Sequence, residues 1–255
     1  MAAPLTAFRI VLMCAAGLMA AAFSSSAFAA PVSLLREAYA ARLGGERAGQ
    51  PLTARYQMDE GGAFVFDRST VKPLLKFDDD PEIWVVEPAP GPRGDVIYRN
   101  DVGEPMLRAT RLGGMTVFTP KRPDGSAAAL DGASAPLRVP SLSLQALFRT
   151  FYQASLRASR AAGRQIGFET KQDADATTAS YLADAASVAS EALVDIASVP
   201  GGKAGLSHLT DVVIAQGPKP GAWLQKGVLT VSIVTSQGVF GRPSSRRIER
   251  AAWGK

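Results

Sequence analysis

The alternation of apolar and polar residues between positions 95 and 119 predicts three short antiparallel strands joined by two tight turns. The predicted strands are residues 96–100, 105–112 and 115–119. The second turn is Gly113-Gly114, a strong hairpin signal, because primed turns require positive φ and glycine adopts it readily. We take this meander to be the organising centre of the fold.

The turn positions predict a register for both hairpins. A two-residue loop at Gly113-Gly114 would place Ala109 opposite Phe118, and a four-residue first loop would place Tyr98 opposite Leu107. The side chains expected on the core face are Val96, Tyr98, Leu107, Ala109 and Phe118. The other face would carry Arg99 and Arg108. These arginines either pair with Asp101 and Glu104 at the turn or form an anion-binding site.

Period-two and helical patterns predict the rest of the fold. Further strands are expected at residues 53–57, 63–67, 82–87, 165–170, 209–216 and 228–234, with an edge or extended segment at 71–77. Helices are expected at residues 33–43, 142–162 and 176–198. Residues 120–140 are rich in proline, alanine, glycine and serine, which predicts a loop or linker. The predicted fold class is α+β, an antiparallel β-meander sheet packed against two long amphipathic helices.

The two long helices carry apolar stripes at helical spacing. The first stripe comprises Leu144, Leu147, Phe148, Phe151, Tyr152 and Leu156. The second comprises Tyr181, Leu182, Ala185, Val188, Ala189, Ala192, Leu193 and Ile196. The first helix is also arginine-rich, so it would either lie on a membrane surface or pack on the sheet with an arginine-rich outer face. We favour the packed arrangement.

The first 29 residues have the features of a cleavable secretory signal peptide. A short apolar run follows Arg9, and Ala27-Phe28-Ala29 fits a small-x-small cleavage pattern. The predicted product is a periplasmic or secreted single α+β domain, residues 30–255, without an integral membrane span. Cys14, the chain's one cysteine, would leave with the leader, so disulfides and thiol chemistry are not expected. The net charge of +5 is mild and no basic tract favours nucleic acid.

Catalytic motifs are sparse. There is no G-x-S-x-G elbow, and His208 is the one histidine, which disfavours both a Ser-His triad and a zinc site. A pair of carboxylates that cleaves glycosidic bonds needs only two acids at the right separation, so that class stays open. We assign no catalytic residue, no metal ligand and no cofactor.

The segment GRPSSRR near the C-terminus is the other candidate site. Its backbone N–H groups, hydroxyls and guanidinium groups suit a phosphate or a carboxylate. The candidate anion-binding residues here are Arg242, Ser244, Ser245, Arg246 and Arg247. The alternative is a basic tail held by salt bridges or left disordered.

Several segments resemble an uncharacterised family of exported alphaproteobacterial proteins, which share a domain of unknown function. They are FVFDRS, LLKFDDDPEIWVV, GDVIYRNDVGEPMLRATRLGGMTVFTP and the closing GRPSSRRI. The resemblance covers residues 34–252 and implies export and one unit rather than two. It implies no activity, cofactor or catalytic residue.

The sequence therefore predicts an exported, soluble envelope protein. Its leading function is a non-catalytic binding or structural module with an anion-binding arginine face. The expected partner is an anionic envelope component or another envelope protein. The alternative is a cell-envelope hydrolase that uses paired carboxylates.

Overall fold

The computed structural model describes residues 50–175 and 177–254. The expected signal peptide and the helix predicted at residues 33–43 lie outside the described residues. The first nine strands are β1 (Thr53–Met58), β2 (Ala63–Asp67), β3 (Leu74–Phe77), β4 (Trp84–Val85), β5 (Glu87–Pro90), β6 (Val96–Arg99), β7 (Pro105–Ala109), β8 (Met115–Thr119) and β9 (Arg122–Ala133). The remaining elements are α1 (Leu144–Ala162), β10 (Gly167–Thr170), α2 (Ala179–Ser198), α3 (Gly202–Gly205), β11 (Asp211–Gln216), β12 (Gly221–Gln225), β13 (Val228–Ile233) and α4 (Ser245–Ala252).

The first nine strands form one antiparallel sheet that curls until it nearly closes. The strand order is β4-β3-β2-β1-β9-β8-β7-β6-β5. Its end strands β4 and β5 are separated in the chain only by Val86, so one extended segment pairs with β3 first and β6 next. The rings of Phe66 on β2 and Tyr98 on β6 meet edge to face at 4.8 Å, although four strands separate β2 from β6 in the order. The sheet therefore encloses its own aromatic core.

The meander register is right in the body of the first hairpin and wrong in the second. At the first turn the register shifts, so that Arg99 pairs with Pro105. Tyr98 pairs with Leu107 as expected, and both side chains are buried. Ala109 pairs with Met115 rather than Phe118, because the second loop contains five residues closed by the Thr110 N–H to Gly114 carbonyl bond of 2.9 Å. This shift places Met115 in the core and Phe118 on the opposite, partly exposed face, so the predicted position of Phe118 is corrected.

The segment expected to be a loop or linker at residues 120–140 contains a central strand instead. Strand β9 joins β1 to β8 in the middle of the sheet. Large side chains of the neighbouring strands fill the space beside its small residues, since Ala128 pairs with the core residue Met115. Gly125 has a φ of +93°, and a Cβ there would lie 2.6 Å from the side chain of Thr116. Small residues are therefore required where the strand bends. Because they are not large and apolar, the hydrophobic pattern did not predict β9 as a strand.

The other half of the chain forms a separate layer with its own core. Its sheet has the order β10-β11-β13-β12, with two parallel pairs and one antiparallel pair. Strand β12 and helix α4 were not predicted. Helices α1 and α2 pack on each other, and the Ser190 hydroxyl of α2 donates to the Ala154 carbonyl of α1 at 3.2 Å. Alanines on both helices allow this close approach.

The α+β class is confirmed, and the predicted packing is confirmed in part. The two long helices do form a layer on a sheet, but the sheet is the smaller, mixed one and not the meander. The predicted stripe of α1 is split between two faces. Its buried side chains are Leu147, Phe151, Ala154, Ala158 and Ala162, whereas Leu144, Phe148 and Tyr152 are exposed.

Candidate functional site

The two layers meet at the segment that the sequence analysis proposed as an anion site. Residues 242–244 are extended and lead into α4. From the sequence, this segment was expected to be a turn or a basic tail. Ser244 is the N-cap of this helix, and its hydroxyl accepts a hydrogen bond from the Arg247 N–H at 3.2 Å. The sequence signal was present, because Ile248 and Ala252 lie one turn apart and both are buried.

We call the contact between residues 242–247 and the acids Glu82, Asp101 and Asp184 the joint. Arg242 lies at its centre, with its side chain 4% exposed. Its guanidinium donates to the Glu82 carboxylate at 2.9 Å, to the Ile83 carbonyl at 2.8 Å and to the Asp184 carboxylate. Burial lowers the pKa of Arg242, but Asp184 and Glu82 outweigh that effect and the net change is upward. The guanidinium therefore joins the large sheet to α2 through buried ion pairs.

Glu82 is the most deeply buried acid of the joint, at 1% exposure. Burial raises its pKa to about 7, against the opposing effects of Arg242 and Ser245. The Ser245 N–H donates to both Glu82 carboxylate oxygens at 3.3 Å. The first turn of α4 thus receives a carboxylate at its positive end.

A second carboxylate reaches the same helix end from the β6–β7 turn. Asp101 accepts from the Ser244 N–H at 3.3 Å, from the Ser244 hydroxyl and from the Arg247 side chain at 2.7 Å. Arg250 pairs with Glu104 of the same turn at 3.0 Å. The GRPSSRR segment is therefore held by salt bridges to carboxylates of the chain itself, as in the alternative given from the sequence, and its binding of an external anion stays a prediction.

Arg99 and Arg108 lie on the outer face of the meander, as expected, but their partners differ from those considered. Arg99 donates to the Gly103 carbonyl at 2.8 Å and so closes its own turn. Arg108 donates to Asp95 at 2.7 Å, at the opposite end of β6. The expected pairing of these arginines with Asp101 and Glu104 is wrong, because α4 takes both acids. The binding of an external anion by Arg99 and Arg108 stays a prediction.

A groove of about 960 Å³ opens beside the joint, between the turns of the large sheet and the helices α2 and α4. Its apolar lining includes Met58, Phe77, Trp84, Met106 and Phe118, and its acidic lining includes Asp79, Asp80, Glu104, Glu191 and Asp195. Arg246 and Ser245 line its α4 end. No sequence pattern indicates this groove, because its wall comes from segments distant in the chain.

Two acids on the groove wall are desolvated. Glu191 and Asp195 lie one turn apart on α2, and burial raises the pKa of each carboxyl. Asp80 adds to both increases, whereas Arg157 and Arg246 act in the opposite direction on Glu191 and Asp195 respectively. Within the part of the chain that the structure describes, no hydrogen-bond donor to either carboxyl is found, so a ligand could supply one.

Within 50–175 and 177–254, no cluster of three or more histidine, cysteine or carboxylate side chains is arranged to hold a metal ion. Asp80 is also committed elsewhere, because its two oxygens accept from the Glu82 N–H at 2.8 Å and the Trp84 indole at 2.7 Å. Within the same residues, no helix has the length and apolar character needed to cross a membrane.

A family model described as a domain of unknown function, DUF4908, matches residues 35–252. The chain belongs to this family. The matched region contains both sheets, the joint and the groove, so these features lie inside the family's domain. No curated protein and no solved structure matches the chain significantly.

Proposed function

We propose that this DUF4908 protein is an exported binding module whose ligand occupies the groove beside the joint. The single observation that carries the proposal is a large groove with apolar side chains in its lining and two desolvated carboxyls on its wall. Such a combination favours a ligand with an apolar part and a positively charged or hydrogen-bond-donating group. Export rests on the signal-like segment at residues 1–29, and the periplasm or the cell envelope is its proposed location.

The internal ion pairs support a binding role for the groove rather than for the arginine face. Arg242 is enclosed by Glu82 and Asp184, and Arg247 is engaged by Asp101. Of the candidate arginines, Arg246 reaches the groove, where it already pairs with Glu249 at 2.8 Å. An anionic envelope component or another envelope protein would have to compete with these carboxylates.

The test uses octylamine as a probe and octanoate as its matched anion. We expect octylamine to shift the NMR signals of groove residues, and Glu191→Gln/Asp195→Asn to weaken that binding at least tenfold, because both carboxyl charges are removed. The matched control is Glu169→Gln/Asp173→Asn, which removes two acids that do not line the groove. Equal binding of octanoate, or unchanged octylamine binding by the groove variant, would contradict the proposal.

A second candidate function is hydrolysis of envelope glycans by paired carboxylates. The observation that favours it is the raised pKa of two neighbouring carboxyls in an open groove, which suits a general acid and its partner. The assay is the release of reducing ends from purified cell-wall glycan. Release that disappears in both Glu191→Gln and Asp195→Asn would support hydrolysis, whereas no release by the native chain would leave the binding role alone.

A further inference from the structure

Helix α1 exposes an apolar stripe that no part of the described chain covers. Leu144, Phe148 and Tyr152 are 44%, 73% and 65% exposed. They are spaced by four residues, so they share one face over about 12 Å, at roughly 1.5 Å per residue. The adjoining side of the helix is already used, because Leu147 and Phe151 are buried in the core of the helical layer.

The exposed side of α1 is also strongly basic. Residues 132–168 contain five arginines and no acid. Arg149, Arg157 and Arg160 of α1 are exposed. Arg149, Arg157 and Arg160 form no ion pair within the described residues, and Arg157 acts on Glu191 through its charge. Elsewhere in the part of the chain that the structure describes, seven arginines are ion-paired, so the unpaired group on α1 is a local feature.

Helical geometry places these charges along one flank of the stripe. At 100° per residue, Arg149 and Arg160 fall within about 20° of each other and beyond Tyr152 on the side away from the buried face. Arginine side chains are long enough to keep their apolar stems beside the stripe while the charged ends reach outward. The face is therefore amphipathic and cationic.

We propose that this face of α1 docks on an anionic lipid surface. The helix would lie parallel to the membrane, with Leu144 and Phe148 at the acyl boundary and the arginines among the lipid phosphates. Charge complementarity selects this partner. A second copy would bring the same arginines together without an acid on α1 to meet them, which disfavours self-association through this face. The inference is independent of the groove.

The test is flotation of the exported, processed chain with vesicles. Vesicles with about one-third phosphatidylglycerol should bind the protein at least tenfold more tightly than pure phosphatidylcholine, and 0.5 M salt should remove most of this difference, because charge attraction is screened. Phe148→Ser/Arg149→Ala should lose at least tenfold in affinity.

The matched control is Arg111→Ala/Leu112→Ser, which removes an exposed arginine and a neighbouring leucine that is 100% exposed on the β7–β8 loop. This control should bind as the native chain does. A second measurement uses Phe148→Trp, whose additional fluorescence should shift to the blue with the anionic vesicles only. Equal binding by all variants, no binding to anionic vesicles, or a dimer that depends on Phe148 in place of vesicle binding would overturn the proposal.

Discussion

Two groups of arginines in this chain have opposite environments. Around the joint, Arg242, Arg247 and Arg250 each have within hydrogen-bond distance a carboxylate from the large sheet or its turns, which is the other layer of the molecule. On α1, Arg149 and Arg160 have no acidic partner among the described residues. The two groups look alike in sequence, because both lie in short basic stretches with few acids nearby.

The difference shows that a basic stretch acquires its role from the tertiary fold. Arg242 lies 160 positions from Glu82, and Ser244 lies 143 positions from Asp101. Each of these pairs forms only because α4 docks on the turns of the large sheet. Arginines that are neutralised in this way hold the layers together, whereas the unpaired ones on α1 remain able to attract an external anion.

The largest expected effect is the loss of Arg242. Arg242→Ala should lower the free energy of unfolding by about 3–5 kcal/mol, because Glu82 and Asp184 would be left buried without a cation. Urea unfolding followed by circular dichroism measures this change. Arg242→Met/Glu82→Gln should recover part of the loss, because one of the two stranded charges is removed. Arg242→Ala that unfolds within 1 kcal/mol of the native chain would show that the joint contributes little.

The matched control for Arg242 lies on α4, the helix that follows it. Arg250 pairs with Glu104 at 3.0 Å, but both side chains are nearly half exposed. Arg250→Ala should therefore cost under about 1 kcal/mol, as exposed ion pairs do. A similar loss in both variants would mean that helix α4, and not the buried pair, determines the effect.

The second prediction concerns the pH dependence of stability at Glu82. Its pKa of about 7 in the folded chain lies above the ordinary value of 4.5, so the folded state holds a proton that the unfolded state has lost. The contribution to stability is therefore full below about pH 4.5 and is lost as the pH rises through 7, with a slope of up to ~1.4 kcal/mol per pH unit.

Glu82→Gln should flatten this slope, because glutamine cannot ionise. Urea unfolding at pH 5, 6, 7 and 8, at constant ionic strength, compares the two proteins. The other carboxyls with raised pKa, Glu191, Asp195 and Glu249, are present in both proteins, so their contributions cancel in the difference. Parallel pH profiles would mean that Arg242 holds Glu82 ionised throughout.

Helices and strands that bury only one face were predicted well from the sequence. Helices α1 and α2 and strands such as β2 and β13 were found within a few residues of their bounds, because an apolar face repeats at the period of the element. Strand β9 was missed because alanine and glycine replace large apolar residues where its neighbours fill the space. Phe118 was misplaced because the loop at residues 110–114 is longer than the two-residue turn that Gly113-Gly114 favours.

For residues 242–247 the structure shows the alternative considered from the sequence, a basic segment held by salt bridges, and the acids that hold it were not predicted. The backbone N–H groups, hydroxyls and guanidinium groups of residues 242–247 do meet carboxylates. Nothing local to that segment identifies Glu82 or Asp101, because the contact requires the closure of the sheet and the docking of the helical layer. The groove depends on the same long-range packing, which a period-based analysis does not reach.

A smaller loss of stability is expected at Ser244, which both caps a helix and bonds to the other layer. Its hydroxyl caps α4 and also donates to Asp101 of the other layer. Ser244→Ala should cost about 1–2 kcal/mol in urea unfolding, because both bonds are lost. Ser143→Ala removes the N-cap of α1, whose hydroxyl accepts from the Ala146 N–H at 3.2 Å, and should cost about 1 kcal/mol or less. Equal losses would assign no stability to the bond between the layers.

The smallest expected effect is at the arginine face of the meander. Arg108 is already paired with Asp95, and Arg99 closes its own turn, so an external anion must share guanidinium groups that are in use. We expect inorganic phosphate, compared with chloride at equal ionic strength, to stabilise the native chain by under ~1 kcal/mol through partial sharing of these groups. Arg99→Ala/Arg108→Ala should lose that increment in thermal unfolding, while Arg111→Ala on the neighbouring loop should retain it. The same increment in all three proteins would place the phosphate elsewhere, and the unpaired arginines of α1 would then be the next anion site to examine.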